Sequence, residues 1–314
     1  MTLLYRDALF LRHNTGRHPE CVARLESIHR QLDAAGLPAR CQAGHIEPLR
    51  AEDTHAVHTP TVAERARQVA QDGGGFLDAD TIVSSESYNV ALAAAGACVS
   101  AVDAVLAGHD RTALCLVRPP GHHATPTRSM GFCLFNNVAL AARRAVQQGV
   151  SRVLVVDWDV HHGNGTQDIF YDDGQVTFFS IHRYGYGFYP GTGASDETGT
   201  GRGLGHIFNA AMPSSTSRGN YHAAFASLLE KAADRARPEL VLLSAGFDAH
   251  ARDPIGSLGL EVEDFVPMTE LILQVAATHA GGRLVSCLEG GYNLEALADS
   301  VQAHLETLLM KGNL

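Results

Sequence analysis

The chain has 314 residues, 45% hydrophobic and 18% charged, an ordinary globular composition with ample apolar material for a large core. Its 24 Lys and Arg against 34 Asp and Glu give a formal charge of −10. No Lys/Arg-rich block occurs, which argues against nucleic acid as a direct partner.

In chain order, MTLLYRDALFLRHN is interrupted by Arg6 and Asp7 before any long apolar stretch, and no later segment reads as apolar for the length of a membrane helix. The expectation is a cytoplasmic protein with no membrane partner. The spacing of Val22, Leu25, Ile28 and Leu32 predicts a helix closed by Gly36 and Pro38, with Arg24 on its flank. Further helices are predicted over Thr61 to Asp72 and, in an Ala-rich stretch, Ser87 to Ala107. From there short apolar strands alternate with loops full of reactive residues and with helices. The strands are TALCLV (112–117), RVLVVD (152–157), VTFFSI (176–181), LVLLSA (240–245) and RLVSCL (283–288). A helix follows RPPGHHATPTRSMGFCLFNN and ends at Gly149, and later helical patterns cover 219–237, 261–280 and 293–310. This alternation predicts an α/β fold with a parallel sheet covered on both faces. With no repeat or linker, residues 1–314 read as a single domain. The six cysteines, Cys21, Cys41, Cys98, Cys115, Cys133 and Cys287, form no C-x-x-C pair and read as buried small residues in a reducing compartment.

In such sheets ligands bind at the carboxyl ends of the strands, and each of these loops lies at one. In VLVVDWDVHHGNGT (153–166), alternation places Asp157, Asp159 and His161 on one side and Trp158 and Val160 on the other. Carboxylates gathered at the end of a hydrophobic strand need a cation, a proton or hydrogen bonds. The other loops add His122, His123, Asp248, Glu289 and Tyr292. Two carboxylates and an imidazole suit a catalytic zinc, which lowers the pKa of a water ligand toward about 7. Adjacent histidines suit acid and base roles. A phenol aimed by the Gly290-Gly291 turn suits an oxyanion. Taken singly, the histidines also read as turn residues and Tyr292 as a packed helix-start residue. Their convergence on one sheet edge favours a site.

RPPGHHA (118–124), MGFCLFNN (130–137), DWDVHHGNGTQDIF (157–170), SIHRYG and YPGTG (180–193), GFDAHARDP (246–254) and EGGYN (289–293) resemble the histone deacetylase superfamily, nearest its class II and bacterial amidohydrolase branch. The resemblance implies a single-domain, three-layer αβα fold with a mainly parallel eight-stranded sheet, the arginase/deacetylase fold. It implies Asp159, His161 and Asp248 as zinc ligands, His122 and His123 as the tandem histidines, Asp157 as partner of the first, and Tyr292 as the phenol that polarises the substrate carbonyl. Asn164 stands where class I members carry a second Asp, so His123 lacks an anionic partner. Phe132 and Tyr189 match the walls of a tunnel for the alkyl stem of acyl-lysine, Gly131 matches a backbone acceptor for its amide, and Gly290 and Ile255 fall at the substrate end. Arg24 matches an arginine of an acetate exit route. Oxygens around Asp157, Asp159, His161, Ser180 and Ile181 match a potassium site.

The expected activity is zinc-dependent deacylation of acetyl-lysine or a related acylated amine, with a homo-oligomer left open. Three rivals stand beside it. An acetylpolyamine amidohydrolase needs an anion at the tunnel mouth, where Ile255 follows Asp253-Pro254, although Asp80 or Glu86 in the early loop could serve. A non-catalytic acyl-lysine binding protein has no use for Tyr292. A binuclear manganese, arginase-like enzyme needs a second ligand set, whereas Gly163 follows His162.

Overall fold

The computed structural model describes residues 1–312; the last two residues of the expected 1–314 domain lie outside the described residues. Its strands are β1 (Thr2–Tyr5), β2 (Gln42–Ala43), β3 (Gly74–Phe76), β4 (Ile82–Ser84), β5 (Thr112–Cys115), β6 (Val153–Asp157), β7 (Val176–Arg183), β8 (Ile207–Met212), β9 (Leu240–Ala245) and β10 (Leu284–Leu288). The helices are α1 (Val22–Ala34), α2 (Pro60–Gln71), α3 (Ser87–Leu106), α4 (Asn137–Gln147), α5 (Asn164–Phe170), α6 (Arg218–Ala236), α7 (Phe265–His279) and α8 (Leu294–Lys311). Eight strands form one parallel sheet in the order β2-β1-β5-β10-β9-β6-β7-β8. The β3–β4 pair is a separate antiparallel hairpin.

Central strands β5, β6, β9 and β10 are buried at every position, which is why they read as continuous apolar runs rather than alternating ones. The helices that cover them fall into two groups in mutual contact, α1–α8–α7–α6 and α3–α4. One continuous hydrophobic cluster runs through the sheet and both groups.

Several expectations change. β1, β2, β8 and the β3–β4 hairpin carry too short or too mixed a pattern to be read from sequence, and α5 follows directly on the D-x-D-x-H stretch. The strand from Thr112 stops at Cys115, and the helix expected from 261 opens as a 3₁₀ turn over Val262–Asp264 before α7. α3 is long and apolar enough to cross a membrane by length and composition, contrary to the expectation for this chain. Its apolarity has a local cause: it lies mostly inside the fold, against α4, β5 and β10. Cys21 and Cys41 are partly exposed, whereas the other four cysteines are buried.

The strand order is what builds the site. β5, β10, β9 and β6 are neighbours although far apart in sequence, so the segments that follow them share one edge of the sheet. Asp157 stands in register with Ser244 of β9 and Ser180 of β7.

Candidate active site and metal centre

β6 ends at Asp157, and the alternation of its side chains continues beyond the last ladder bond. Trp158 turns into the core against Phe225, Phe247, Phe265 and His304. Asp157, Asp159 and His161 turn to the other side, all buried. From β9, Asp248 joins them: the donor atoms of Asp159, His161 and Asp248 lie within 4.8 Å of one another. His161 Nδ1 sits 3.1 Å from Asp159 Oδ1 and 3.1 Å from Asp248 Oδ2.

Backbone amides orient both carboxylates. His161 N donates to Asp159 Oδ1 at 2.9 Å, Gly290 N to Asp159 Oδ2 at 2.9 Å, and Val160 N to Asp248 Oδ1 at 2.8 Å. Gly290, expected at the substrate end, thus belongs to the cradle of the ligand set. A Cβ there would collide with Asp248 Oδ2 and stand 2.5 Å from Asp159 Oδ2.

The charges fit a cation. Burial, then the neighbouring Asp159, raises Asp248 to about 7. His161, despite burial, is raised to about 10 by hydrogen bonds to Asp159 and Asp248. A proton on this imidazole offsets one of the two carboxylate charges in the protein alone, and a divalent ion in its place would offset both. Two carboxylates and an imidazole converging on one point form an acceptable donor set for zinc.

The tandem histidines stand beside this set, their rings 4.0 Å apart between centroids. His122 Nδ1 donates to Asp157 Oδ2 at 2.9 Å, and His123 Nδ1 to Asn164 Oδ1 at 2.7 Å. The different partners separate their proton affinities. His122, although buried, is held well above its ordinary range by the charges of Asp157 and Asp159. Burial, then the charges of His122 and His161, holds His123 well below.

Glu289, which the sequence placed at this edge without a role, fixes the histidine segment. Its Oε2 accepts Gly121 N at 2.6 Å and His122 N at 3.2 Å, while Oε1 accepts Ser244 Oγ at 3.1 Å. Burial pushes its carboxyl up to about 8. Asn136, the cap of α4, also holds this segment through a 3.2 Å bond from its amide to Ala124 O.

Aromatic rings surround the approach. Gly131 and Phe132 occupy the centre of a tight turn at φ 57° and 69°, closed by a bond from Cys133 N to Met130 O. The left-handed backbone at Phe132 is unusual for a bulky residue, and it turns the ring onto His18 and Tyr292, edge to face at 4.5 and 5.8 Å. Opposite, Tyr189 stands edge-on to His123 at 5.0 Å and to His161 at 6.3 Å. Phe188 stacks flat on His161 at 5.1 Å. The sequence reading missed Phe188; its only signal was adjacency to Tyr189 before Pro-Gly-Thr-Gly.

Tyr292 is half-buried, and burial raises its phenol well above 10, which keeps its proton on the ring as a donor. The guanidinium of Arg24 lies 5.1 Å from the centroid of that ring. Arg24, on the flank of α1, is fully buried, donating to Gly291 O at 2.6 Å and Glu289 O at 2.5 Å. Ile255 lies half-buried on the loop after Asp253.

Comparison with known proteins identifies the family. The histone deacetylase domain matches residues 18–308. The histone deacetylase-like amidohydrolase of Pseudomonas aeruginosa is 41% identical over 276 residues, covering 88% of this chain and 72% of that protein. Human polyamine deacetylase HDAC10 is 42% identical over 322 residues, covering 98% of this chain but 48% of its own length. The crystal structure of the HDA15 HD domain superposes with a TM-score of 0.92 at 36% identity, covering 98% of this chain and 88% of that one. With the domain matched over nearly the whole chain and these relatives covered at 36–42% identity, this chain belongs to the histone deacetylase family and is an enzyme of its deacetylase and amidohydrolase kind.

Proposed function

We propose that the chain hydrolyses the acyl amide of acetyl-lysine or a related acylated amine with the help of a zinc ion held by Asp159, His161 and Asp248. The observation that carries this reading is the placement of a mixed carboxylate and imidazole set directly beside two histidines with opposite proton affinities. A zinc ion in that set supplies Lewis acidity, polarising the amide carbonyl and making water acidic near neutral pH.

The chain's own groups do the rest. His123, neutral and held by an amide, takes the proton from the attacking water. His122, paired with Asp157, keeps its positive charge near the developing anion. The Tyr292 hydroxyl donates to the carbonyl oxygen as it gains charge. The proton on His123 then passes to the departing amine, without which the C–N bond cannot break to a neutral product. Phe132 and Tyr189 flank the alkyl stem, with Gly131 and Ile255 at the outer end. Potassium, a hard cation, suits the oxygens around Asp157, Asp159, His161, Ser180 and Ile181.

The acetylpolyamine reading keeps one support besides the human relative: burial, then the charge of Asp80, raises the Tyr189 phenol, in keeping with an acidic group beside the mouth. Ile255 offers no counter-ion for a second amine, which favours the lysine-type substrate. The arginase-like reading needs a second hard-donor set. Among the described residues the other metal-capable group is three cysteines, a soft set.

Turnover of a matched panel of acetyl-lysine, longer acyl-lysine and trifluoroacetyl-lysine peptides beside acetylspermidine and acetylputrescine tests the assignment. Faster turnover of the peptides is expected. Much faster turnover of the polyamines overturns the substrate assignment, and substrate binding without turnover of any member overturns the catalytic one.

A further inference from the structure

Three thiols with no part in the proposed reaction meet inside the core. Cys115 at the end of β5 and Cys287 on β10 are side by side in register, and Cys98 reaches them from α3. Their sulfur atoms lie within 4.8 Å of one another, and all three are free and fully buried. The sequence spacing, with no C-x-x-C pair, hid this group.

We propose that Cys98, Cys115 and Cys287 form a thiol oxidation site in which a hydroperoxide joins Cys287 to Cys115, with Cys98 as a third thiol able to exchange into the bond. Adjacent strands lie about 4.8 Å apart, inside the roughly 4.4–6.8 Å between Cα atoms that a disulfide spans. Side chains at the same register of parallel strands keep their Cβ atoms near the strand spacing, wider than the roughly 3.8 Å of a relaxed disulfide. The bond therefore pulls the two strands together and is of the easily reduced kind. Hydrogen bonds from Cys115 and Cys98 lower the Cys287 thiol, in keeping with Cys287 as the attacking sulfur.

The Cys287 thiolate attacks one peroxide oxygen and the O–O bond breaks. Cys287 becomes a sulfenic acid, and the other oxygen leaves as water or an alcohol after taking the thiol proton. The sulfur of Cys115 then attacks the sulfenic sulfur. The S–O bond breaks, and hydroxide leaves with the Cys115 proton as water. The two sulfurs lose two electrons in all, and the hydroperoxide gains them. The disulfide is uncharged, which suits an apolar core. Three thiolates around a divalent soft ion would instead leave a net negative charge there.

The consequence reaches the site because both strands end in it. β5 leads to His122 and His123, and β10 leads to Glu289, whose carboxylate holds the amide of His122. Drawing Cys115 and Cys287 together shifts one segment against the other.

The test uses the full, metal-loaded chain treated with hydrogen peroxide, followed by alkylation under denaturing conditions and peptide mass mapping without reductant. A Cys115–Cys287 cross-linked peptide, two hydrogens lighter than its parts, is expected. A several-fold fall in kcat, unchanged metal content and recovery with dithiothreitol should accompany it. Cys115→Ala and Cys287→Ala should each keep their activity after the same treatment. If one of them fails to fold, Cys98→Ala still forms the cross-link, and the wild-type map stands alone. Absence of any cross-link within the trio, a cross-link with unchanged kcat, or equal loss of activity in folded Cys115→Ala protein overturns the proposal; the last outcome moves the sensitive thiol elsewhere, with Cys133 the next to map.

Discussion

The buried carboxylate of Asp253 accepts the backbone N–H of Tyr292 at 2.7 Å. Its other oxygen accepts Ile255 N and Gly256 N, both at 2.9 Å. One side chain thus ties the loop after β9 to the loop after β10 and sets where the phenol begins. Asp253→Asn, which replaces one acceptor by a donor, should lower kcat by about tenfold, the loss of one well-placed hydrogen bond to a charged group. Metal content should not change. In a Tyr292→Phe background the same substitution should do little, because the two act as a unit. Additive losses in the double variant would show that Asp253 works through something other than Tyr292.

Tyr292→Phe keeps the ring against Phe132 and Arg24 and deletes only the hydroxyl. Removal of a donor to an oxyanion costs about 10² to 10³ in rate, and it should appear in kcat because that bond strengthens only in the transition state. A trifluoroacetyl substrate, whose carbonyl is already activated, should lose less. Retention of most of the wild-type kcat on an acetyl substrate would make Tyr292 a packing residue.

The donor set of Asp159, His161 and Asp248 predicts about one zinc-like ion per chain after mild dialysis. Asp248→Asn should lower that occupancy sharply, as should chelation, and returning zinc to the chelated wild type should restore activity. Elemental analysis finding two ions per chain, or full activity with none, would favour the binuclear arrangement.

Asn164→Asp would give His123 the anionic partner that His122 already has, raising the proton affinity of the base. Protonated base is inactive, so the acid limb of the kcat/KM profile should move to higher pH, by one unit or so for a new adjacent charge. An unmoved acid limb would take His123 out of the base role.

Two further buried histidines predict the acid sensitivity of the fold. Burial lowers His58 to about 4 and His304 to about 3. His58 Nδ1 donates to Thr125 O at 2.8 Å while its Nε2 accepts Asn136 N at 2.9 Å, an arrangement that needs the neutral ring. In the unfolded chain each titrates near 6.5, so below that pH the unfolded state binds more protons and stability falls as pH drops toward about 4. Two such groups give a slope of at most about 3 kcal/mol per pH unit. Urea midpoints between pH 4.5 and 7.5 measure it. His304→Gln should lose roughly one proton from the slope; the same slope in both proteins would place the acid sensitivity elsewhere.

Local patterns in the chain were enough to foresee the five central strands, the main helices, and the turn of Asp157, Asp159 and His161 to one side, because side-chain alternation and helical periodicity are properties of neighbouring residues. The motifs of the five loops carried the family in the same way. What the sequence could not show is which strands lie beside which. β10 is inserted between β5 and β9, which brings Glu289 to His122, Asp253 to Tyr292 and Cys115 to Cys287, and β9 lies beside β6, which brings Asp248 to His161. The short edge strands escaped for a related reason: β8, with Asn209 and two alanines in six residues, has little strand preference of its own and is held by pairing with β7. Strand order and edge pairing are decided by how helices hundreds of residues apart cover the sheet, and that free energy is spread over the whole core rather than written in any one segment.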